Sequence, residues 1–511
     1  MSDRRLGRGG TTPWGAVVLA GLVAAGALAW FLPKTLGGDE ECAAGVVRLG
    51  GECVGVTDGA YSFDGELDEV TERIRAENER VERSGAAAVS IAYVESMTHG
   101  EDGTDAEARA GARADDRDPT VVRQALEGAY LAQRAHNRLD ADDPRADEGP
   151  SPKVRLLLAN TGEGGAHYER VVRDLEDRAR GEERLVAVTG LGQSVASTVA
   201  TVGRLHRAGI PMVGATVAAD ELAREDPGFF RVSQPTSRQA AIAARELHER
   251  QREDPGYRVD IVKDIKAGDT YNKALREGFE EAVAARGVRL ATPDGYSFES
   301  ARSSSANALT YIADQVCRAR QELDAVYFAG RGRALRQFVQ ALGQQPGCTL
   351  AVVSGSSALG LYFDSPDLRR WGDRGPRIRY TAYAHPESGD AAALADFADR
   401  YCADFRPGAP RGACAAGDGP LQSGQAIMGH DAMLALVRAV ELATGPDGGD
   451  PVDAGAVRQM LLQLGTTKEV RGLSGPIGFD AYGNPKDKPM AYVELQWRSG
   501  FRYVHRTRLW P

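Results

Sequence analysis

The chain has 511 residues, of which 42% are hydrophobic and 26% charged, and its formal net charge is -10. This length corresponds to about three domain-sized units, and the composition excludes a wholly disordered chain and a polytopic membrane protein. The acidic balance also excludes a nucleic-acid partner, which would require a basic face to neutralise phosphates.

Residues 14–32 form an uncharged apolar run with Trp14 and Trp30 near its ends. As a helix this run would extend about 28 Å, close to the thickness of a bilayer core. Three arginines precede it and acidic residues follow it, so the positive-inside rule predicts a cytoplasmic tail over residues 1–13 and a single-pass anchor in the cell membrane, with an extracytoplasmic body. The alternative is a cleaved signal peptide, because Ala27-Leu28-Ala29 resembles a small-residue cleavage site.

The cysteines agree with export. Their number is even, they form no CxxC motif and no histidine lies beside them, which favours disulfides in an oxidising compartment over metal binding. Six cysteines allow many pairings, and we favour the one that joins neighbours along the chain. The predicted disulfides are Cys42–Cys53, Cys317–Cys348 and Cys402–Cys414.

Residues 33–85 are predicted to be an extracytoplasmic stalk that contains a disulfide loop and one helix. The helix is expected over residues 64–83, where Leu67, Val70, Ile74 and Val81 form a narrow apolar stripe. This stripe either docks on the main domain or forms a short dimer seam.

From residue 86 onward, apolar runs alternate with amphipathic helical patterns. Such alternation indicates α/β architecture with parallel sheets covered on both faces. The strand candidates are too many for one sheet, so we predict two doubly wound lobes. The predicted strands are residues 87–95, 154–160, 185–189, 211–215, 229–233, 259–265, 325–329, 350–354, 378–384 and 492–497.

Catalytic motifs are missing from the sequence. There is no GxxxxGK[ST] phosphate loop, no GxSxG nucleophile elbow and no HExxH zinc motif, and the histidines never stand at metal-ligand spacing. Gly190-Leu191-Gly192 lacks the third glycine of a dinucleotide fingerprint. The sequence therefore predicts a protein that is not an enzyme and that holds no cofactor or metal.

One feature indicates a small-molecule site. Ser194 follows a predicted strand at the start of a helix over residues 195–208, where free N–H groups favour a carboxylate. The next strand ends in Gly214-Ala215-Thr216, which offers a second hydroxyl at the same edge of the sheet, where open α/β sheets bind ligands. The alternative interpretation is that both residues are ordinary helix caps.

Several stretches, in a constant order, carry a resemblance to a known family. The last, GLSGPIGFDAYGNPKDKPMAYVELQ, matches a closing G-x-x-G-x-I-x-F-D-x-x-G-(D/N) pattern. From near Val89 the chain resembles the type 1 periplasmic binding proteins, in particular the leucine/isoleucine/valine- and amide-binding branch of ABC transporter substrate-binding proteins. The matching stretches are residues 124–138, 188–222, 229–248, 269–288, 325–342, 429–441 and 472–496.

The resemblance implies a ligand site between the two lobes. Ser194 corresponds to the family's ligand-carboxylate serine, and Tyr271 to the aromatic residue that reaches in from the second lobe. The further contacts implied by the resemblance are Ala215 and Thr216 after the fourth strand, Ser96 at the mouth of the site, and Gly330, Arg331 and Ser354 in second-lobe loops.

The second-lobe loops depart from the family pattern. Amino-acid-binding members commonly offer an acidic group there, whereas these loops read AGRGR and VSGSS. Arg331 and Arg333 are expected either to favour an anionic group or to be solvated. A branched-chain amino acid therefore fits poorly, and a carboxylate- or amide-bearing solute fits better.

We therefore predict a membrane-anchored receptor whose binding-protein domain spans residues 86–511. The first lobe is expected over about residues 86–233 and 384–480, and the second over about 234–383 and 481–511. The resemblance implies a hinge of three crossovers and, as partners, a small solute and the permease of an ABC importer. The alternative is a sensing ectodomain that signals to another membrane partner without transport.

Overall fold

The computed structural model describes residues 40–98, 119–138, 151–318, 323–363, 376–417, 419–445, 451–496 and 500–507. The predicted anchor, residues 14–32, lies outside these ranges. Within them, no helix combines the length and the apolar character that crossing a bilayer requires.

Strands and helices alternate along most of the described chain. The strands are β1 (Glu40–Ala43), β2 (Val46–Leu49), β3 (Glu52–Thr57), β4 (Ala88–Glu95), β5 (Lys153–Asn160), β6 (Leu185–Gly190), β7 (Met212–Gly214), β8 (Phe229–Arg231), β9 (Val259–Asp264), β10 (Tyr296–Phe298), β11 (Ala325–Ala329), β12 (Ala351–Ser354), β13 (Arg377–Ala382), β14 (Val470–Gly472), β15 (Gly475–Ile477), β16 (Ala491–Gln496) and β17 (Gly500–Arg506). The helices are α1 (Asp68–Ser84), α2 (Pro119–Asn137), α3 (Tyr168–Arg180), α4 (Ala196–Arg207), α5 (Thr236–Glu253), α6 (Thr270–Arg286), α7 (Ser305–Arg318), α8 (Gly332–Gly343), α9 (Gly360–Phe363), α10 (Ala391–Phe405), α11 (Gln425–Ala443) and α12 (Ala454–Gln463).

Two large sheets define two lobes, and the predicted α/β class is confirmed. The first sheet has the order β1-β2-β3-β5-β4-β6-β7-β8, and β4 to β8 run parallel. The second has the order β10-β9-β11-β12-β13-β16-β17, in which only the C-terminal strands β16 and β17 run antiparallel to their neighbours. Each lobe therefore has a parallel centre that is extended at one side by antiparallel strands, β1 to β3 in the first lobe and β16 and β17 in the second.

The segment predicted as a separate stalk is instead part of the first lobe. Strand β3 is buried along its whole length and pairs antiparallel with β5. Helix α1 lies beside the part of β5 that does not pair with β3. There the Asn78 side-chain amide donates to Leu156 O and accepts from Leu156 N. Its apolar stripe is buried against the first-lobe core, so the helix docks on the domain and forms no dimer seam.

All three predicted disulfides are present. The Cα atoms are 6.1 Å apart in Cys42–Cys53, 5.5 Å in Cys317–Cys348 and 5.8 Å in Cys402–Cys414. The first joins β1 to β3, the first and last of the three antiparallel strands at the edge of the first sheet.

Helices from two distant parts of the chain complete the first lobe. Apolar residues of α10, α11 and α12 share one buried cluster with β4 and β5. Helices α2 and α11 cross so closely that a Cβ on Gly128 would lie 1.9 Å from Ala426 O, and one on Gly429 would lie 2.0 Å from Ala125 O. Only glycine allows this approach, and it holds the start of α11 near the space between the lobes.

The chain passes between the lobes after β8, after β13 and before β16. These crossovers bind one another: the Arg231 guanidinium donates to Ala219 O and to Asn484 Oδ1, and the Gln234 amide donates to Lys488 O. Burial lowers the pKa of Arg231 to about 10. Hydrogen-bonded crossovers of this kind are suited to a hinge, and the exact lobe boundaries stay a prediction.

Candidate functional site

A cleft opens between the lobes at the carboxyl ends of their parallel strands, and we call it the interlobe cleft. Its cavity volume is about 90 Å³, several times what one water molecule needs. Open α/β sheets bind ligands at this edge. The described lining residues are Val121, Gly192, Gln193, Ser194, Thr216, Tyr271, Arg331, Ser356, Ser357, Leu359, Gly360, Tyr383 and Gln425.

Ser194 lines the cleft but does not cap α4. The helix begins at Ala196 with Val195 as its N-cap residue. The Ser194 hydroxyl instead accepts hydrogen bonds from Ala218 N at 2.9 Å and Ala219 N at 3.0 Å. A hydroxyl has two acceptor lone pairs and one donor hydrogen. Its remaining capacity is therefore to donate, which suits an oxygen acceptor on a ligand.

The two residues predicted after β7 have different positions. Thr216 lines the cleft, whereas Ala215 is buried in the first-lobe core and its N–H donates to Gly190 O at 3.3 Å. Ala215 is therefore not among the described lining residues. Its side chain packs inward because it directly follows a buried strand.

Tyr271 reaches the cleft from the start of α6 in the second lobe, as the resemblance implies. Its hydroxyl accepts from Ser357 N at 3.1 Å and lies 3.5 Å from Ser356 Oγ. Burial raises the pKa of this phenol. The ring therefore presents a neutral aromatic face with its polar end already engaged.

Arg331 is not solvated, which contradicts one of the two sequence expectations, and its charge already has a partner within the second lobe. Its side chain is only 14% exposed, and its guanidinium donates to both carboxylate oxygens of Asp269, at 2.6 and 3.0 Å. The guanidinium also lies over the Tyr271 ring, 5.2 Å from the centroid. A bidentate ion pair with low exposure neutralises the charge within the second lobe.

Asp269 is the partner of a cleft-lining residue, Arg331, and the sequence interpretation did not identify it. It is the N-cap residue of α6, and its Oδ1 also accepts from Asn272 N at 3.0 Å. An Asp placed just before a helical pattern is a visible capping signal. Its pairing with a residue far along the chain is not visible in the sequence.

The lobes contact each other across the cleft at the loop that precedes α4 in the first lobe. The Ser194 carbonyl accepts from Thr270 Oγ1 and from an Arg331 Nη, both at 2.8 Å, and Gln193 Oε1 accepts from Arg331 at 3.1 Å. Second-lobe side chains therefore bind a first-lobe loop directly. In this arrangement the lobes are closed on each other.

The remaining predicted contacts lie outside the cleft lining. Ser354 is fully buried and donates to Phe328 O at 2.9 Å, so the hydroxyls that reach the cleft in this loop are those of the following serines, 356 and 357. The Gly330 carbonyl accepts from Ser357 Oγ at 3.3 Å. Ser96 donates to Gly162 O at 2.8 Å and lines a neighbouring first-lobe pocket of about 30 Å³.

Tyr383 and Gln425 line the cleft although the sequence interpretation did not identify them. The Gln239 amide donates to the Tyr383 hydroxyl at 2.9 Å and accepts from Ser356 N at 3.0 Å, which joins two crossover segments beside the cleft. Burial raises the pKa of the Tyr383 phenol. In the described part of the chain, no group of three or more side chains is arranged to hold a metal ion.

Comparison with solved structures shows a shared fold. An ABC transporter substrate-binding protein from Desulfitobacterium hafniense in complex with Leu is 17% identical, with a TM-score of 0.56, and the match covers 82% of this chain and 100% of that one. A leucine binding protein from Thermotoga maritima is 17% identical, with a TM-score of 0.57 and coverage of 82% and 99%. A solute binding protein from R. palustris in complex with benzoate is 14% identical, with a TM-score of 0.57 and coverage of 83% and 97%.

No curated protein sequence matches the chain significantly. A family model described as "Periplasmic binding protein" matches residues 154–500, about two thirds of the sequence. This match, together with the two-lobed fold and the cleft at its strand ends, confirms the family resemblance stated from the sequence. The chain belongs to the periplasmic binding protein family.

Proposed function

We propose that this protein is a membrane-anchored extracytoplasmic receptor that closes on a small organic ligand and presents it to an ABC importer. The ligand is an amino acid, an amide or a carboxylate, and the protein itself performs no catalysis. The observation that carries the proposal is the interlobe cleft, in which Thr270 and Arg331 of one lobe bind Ser194 of the other.

A hinged cleft of this kind converts binding into a change of shape. A ligand that touches both lobes shifts the open–closed equilibrium by its differential affinity for the closed state. A shift from 1% to 99% closed requires about 5.5 kcal/mol of such preference. Because Ser194 and Tyr271 face the same cleft from opposite lobes, a ligand that contacts both gains its full affinity only on closure.

The structural neighbours support the ligand class. The Desulfitobacterium hafniense protein was solved in complex with leucine and the R. palustris protein in complex with benzoate. Both compounds are small and carry a carboxylate and an apolar part. The cleft of this chain is lined by the apolar residues Val121 and Leu359 beside its hydroxyls and amides.

The predicted anchor at residues 14–32 favours a second candidate, a ligand-sensing ectodomain that signals to a membrane partner without transport. Both functions use the same cleft and hinge. Crosslinking of the ligand-loaded full chain in membranes distinguishes them. Capture of a multi-span permease with nucleotide-binding subunits supports import, whereas capture of a signalling protein supports sensing.

The first experiment is thermal unfolding of the oxidised full chain against amino acids, amides, carboxylates, sugars and nucleosides. A ligand at about 100 times its dissociation constant adds roughly 2.7 kcal/mol of stability. We expect stabilisation only from the first three classes. Stabilisation by sugars or nucleosides alone, or by no compound, would contradict the proposal.

The same assay tests the site. The Ser194→Ala and Tyr271→Ala variants are expected to bind an identified ligand more weakly, each by about tenfold, since each loses contacts from one side of the cleft. Ser96→Ala is the matched control, because this serine lines a different pocket. Unchanged affinity in both cleft variants would place the site elsewhere.

The anchor is tested separately by membrane fractionation. We expect the full chain to stay with membranes after alkaline carbonate washing, with its body digested by protease added to the extracytoplasmic side. Release of a shorter chain whose new N-terminus follows Ala29 would show a cleaved signal peptide instead.

A further inference from the structure

One loop of the first lobe lies between the cleft and the first crossover, and we call its residues 217–220 the hinge loop. On its cleft side, Ala218 N and Ala219 N donate to the Ser194 hydroxyl at 2.9 and 3.0 Å. On its other side, Ala218 O accepts from Thr236 N at 2.9 Å and from Thr236 Oγ1 at 3.0 Å. The hinge loop is therefore hydrogen-bonded both to a residue that lines the cleft and to the chain that leaves the lobe.

Helix α5 begins beside this loop and has no cap of its own. Its N-cap residue, Pro235, makes no side-chain hydrogen bond to the first turn. The Asp220 carboxylate of the hinge loop takes that place, since one of its oxygens accepts from Ser237 N at 3.0 Å and the other from Ser237 Oγ. A carboxylate that accepts from a first-turn N–H stabilises a helix as an N-cap side chain does. A first-lobe side chain therefore caps the first helix of the second lobe.

The capped end of α5 is part of the second lobe. Apolar residues of α5 belong to a second-lobe core cluster. A Cβ on Gly278 of α6 would lie 2.8 Å from Ser237 Cα, so α5 and α6 are in close contact beside the cap. The first turn of α6 carries Thr270, which donates to Ser194 O, and Tyr271, which lines the cleft. The position of Ser237 therefore influences where the second lobe presents its cleft residues.

We propose that Asp220 is a positioning residue that caps α5 across the lobe boundary and so sets the angle between the lobes. Asp220 is not among the described lining residues of the cleft, and it acts through α5 and the hinge loop. Without this cap, α5 can turn about the first crossover, which lowers the population of closed lobes and hence the apparent affinity. This inference rests on the proposed function and deepens it, because it identifies how the first crossover is connected to the cleft.

The variants separate the cap from the charge of Asp220. This charge matters by itself, because burial lowers the pKa of Arg231 and the nearby Asp220 carboxylate opposes that shift. Asp220→Ala removes both cap and charge, whereas Asp220→Asn removes the charge and leaves an amide that can still bond to Ser237. Ser237→Ala removes one of the two cap hydrogen bonds and retains the charge. The matched control is Asp453→Ala, because Asp453 caps α12 by accepting from Ala456 N at 2.7 Å, within the first lobe alone.

The variants are compared as the oxidised full chain without added solute, by small-angle X-ray scattering and by amide hydrogen exchange. We expect Asp220→Ala to increase the radius of gyration and to speed exchange at Ala218 and Ala219 about tenfold, which corresponds to the loss of one hydrogen bond. Ser237→Ala should shift both quantities less, and Asp220→Asn least of the three. Asp453→Ala should lower the unfolding temperature and leave both quantities unchanged.

A double variant distinguishes positioning from local helix stability. Asp220→Ala combined with Ser237→Asp restores a negative charge to the first turn of α5, which stabilises the helix without rebuilding the link to the first lobe. We expect it to regain the unfolding temperature lost in Asp220→Ala and to keep the larger radius of gyration. Return of the radius to the parent value would show that Asp220 stabilises α5 alone, which overturns the inference.

Solute binding separates this inference from the proposed function. Leucine and benzoate are titrated by calorimetry into the parent, Asp220→Ala and Asp453→Ala. A compound that binds the parent should bind Asp220→Ala about tenfold more weakly and the control equally well, and equal affinity for all three would contradict the inference. Unchanged scattering and exchange in Asp220→Ala refute the role of Asp220 but leave the receptor function standing. The absence of binding by every solute class contradicts the proposed function, whereas the measurements without solute still decide the role of Asp220.

Discussion

The two lobes meet the cleft in different ways. The first lobe contributes a backbone carbonyl, at Ser194, together with a hydroxyl held by Ala218 N and Ala219 N. The second lobe contributes long side chains: Arg331 extends across the cleft to Gln193 and Ser194, and its guanidinium lies over the Tyr271 ring. The first lobe therefore offers backbone groups and a held hydroxyl, whereas the second lobe supplies the side chains that bridge the cleft. Closure accordingly depends mainly on second-lobe side chains.

Their cores differ as well. The first lobe buries polar groups in networks, as where Asn78 and Gln133 bind each other and the edge of β5. The second lobe is held by aromatic packing: Phe279 stacks on Tyr327 with centroids 3.8 Å apart, and Phe328 lies 5.3 Å from Phe338. Loss of a buried polar partner in the first lobe should therefore lower the free energy of unfolding strongly. Substitutions in the cleft should have smaller effects, and these should change only the equilibrium between open and closed lobes.

The largest expected effect is that of Asp431→Ala in the first lobe. Asp431 is fully buried, accepts from Leu473 N and Ser474 N at 2.8 Å, and lies 3.9 Å from Lys488 Nζ. Its removal strands a buried cation, so we expect a loss of about 3–5 kcal/mol in the free energy of unfolding by urea. Asp399→Ala, which removes an ion pair with the exposed Arg411, is the control and should cost much less. Equal losses would refute the polar-network account.

The next effect is a pH dependence at the second crossover. Burial lowers the pKa of His385 to about 4, against 6.5 for an unperturbed histidine. Between these values the unfolded chain binds more protons, so this residue makes stability rise from pH 4 to pH 6.5, by up to about 3 kcal/mol. His385→Phe retains the ring contact with Tyr503 and should flatten that rise in urea unfolding measured at several pH values. An unchanged slope would contradict the assignment.

The third effect concerns Arg331→Lys. A lysine cannot bind both oxygens of Asp269 and still reach Ser194 O, so closure should weaken by about 2 kcal/mol. Small-angle X-ray scattering without ligand should then give a larger radius of gyration. Arg318→Lys, on the exposed face of α7, is the control. If both variants match the parent, Arg331 does not hold the lobes together.

The smallest effect is expected for Thr270→Val. This change removes one interlobe hydrogen bond, to Ser194 O, and should weaken closure by about 1 kcal/mol. Thr310→Val is matched in shape but removes only a bond within α7. Scattering should show a shift for the first variant that is smaller than that of Arg331→Lys, and none for the second. A larger shift for Thr270→Val than for Arg331→Lys would show that Thr270 contributes more to closure than Arg331, contrary to this prediction.

Much of the fold could be predicted from the sequence because the evidence is local. Parallel strands buried on both faces read as continuous apolar runs, and β4, β5, β6, β9, β11 and β12 all fall within or across predicted runs. The disulfides pair neighbours along the chain, which the spacing favours. The strands β1, β2 and β3 were not predictable in this way, since they are short and interrupted by glycine and charge.

The site was predictable only in part. Ser194, Thr216, Tyr271 and Arg331 do line the cleft, because motif order and strand ends locate them. Gln425 gives no signal in the sequence, since its place depends on helix crossing at glycine positions far from the other lining residues.

By itself, the sequence determined the alternation of strands and helices and the family, and it favoured the disulfide pairing that the structure shows, because each of these depends on patterns along the chain. Only the tertiary structure decided that residues 40–84 complete the first lobe, that Asp269 neutralises Arg331 and that Gln425 lines the cleft. Those outcomes depend on which residues, far apart in the sequence, come into contact in the folded chain. Burial, charge compensation and hydrogen-bond pairing are properties of those contacts.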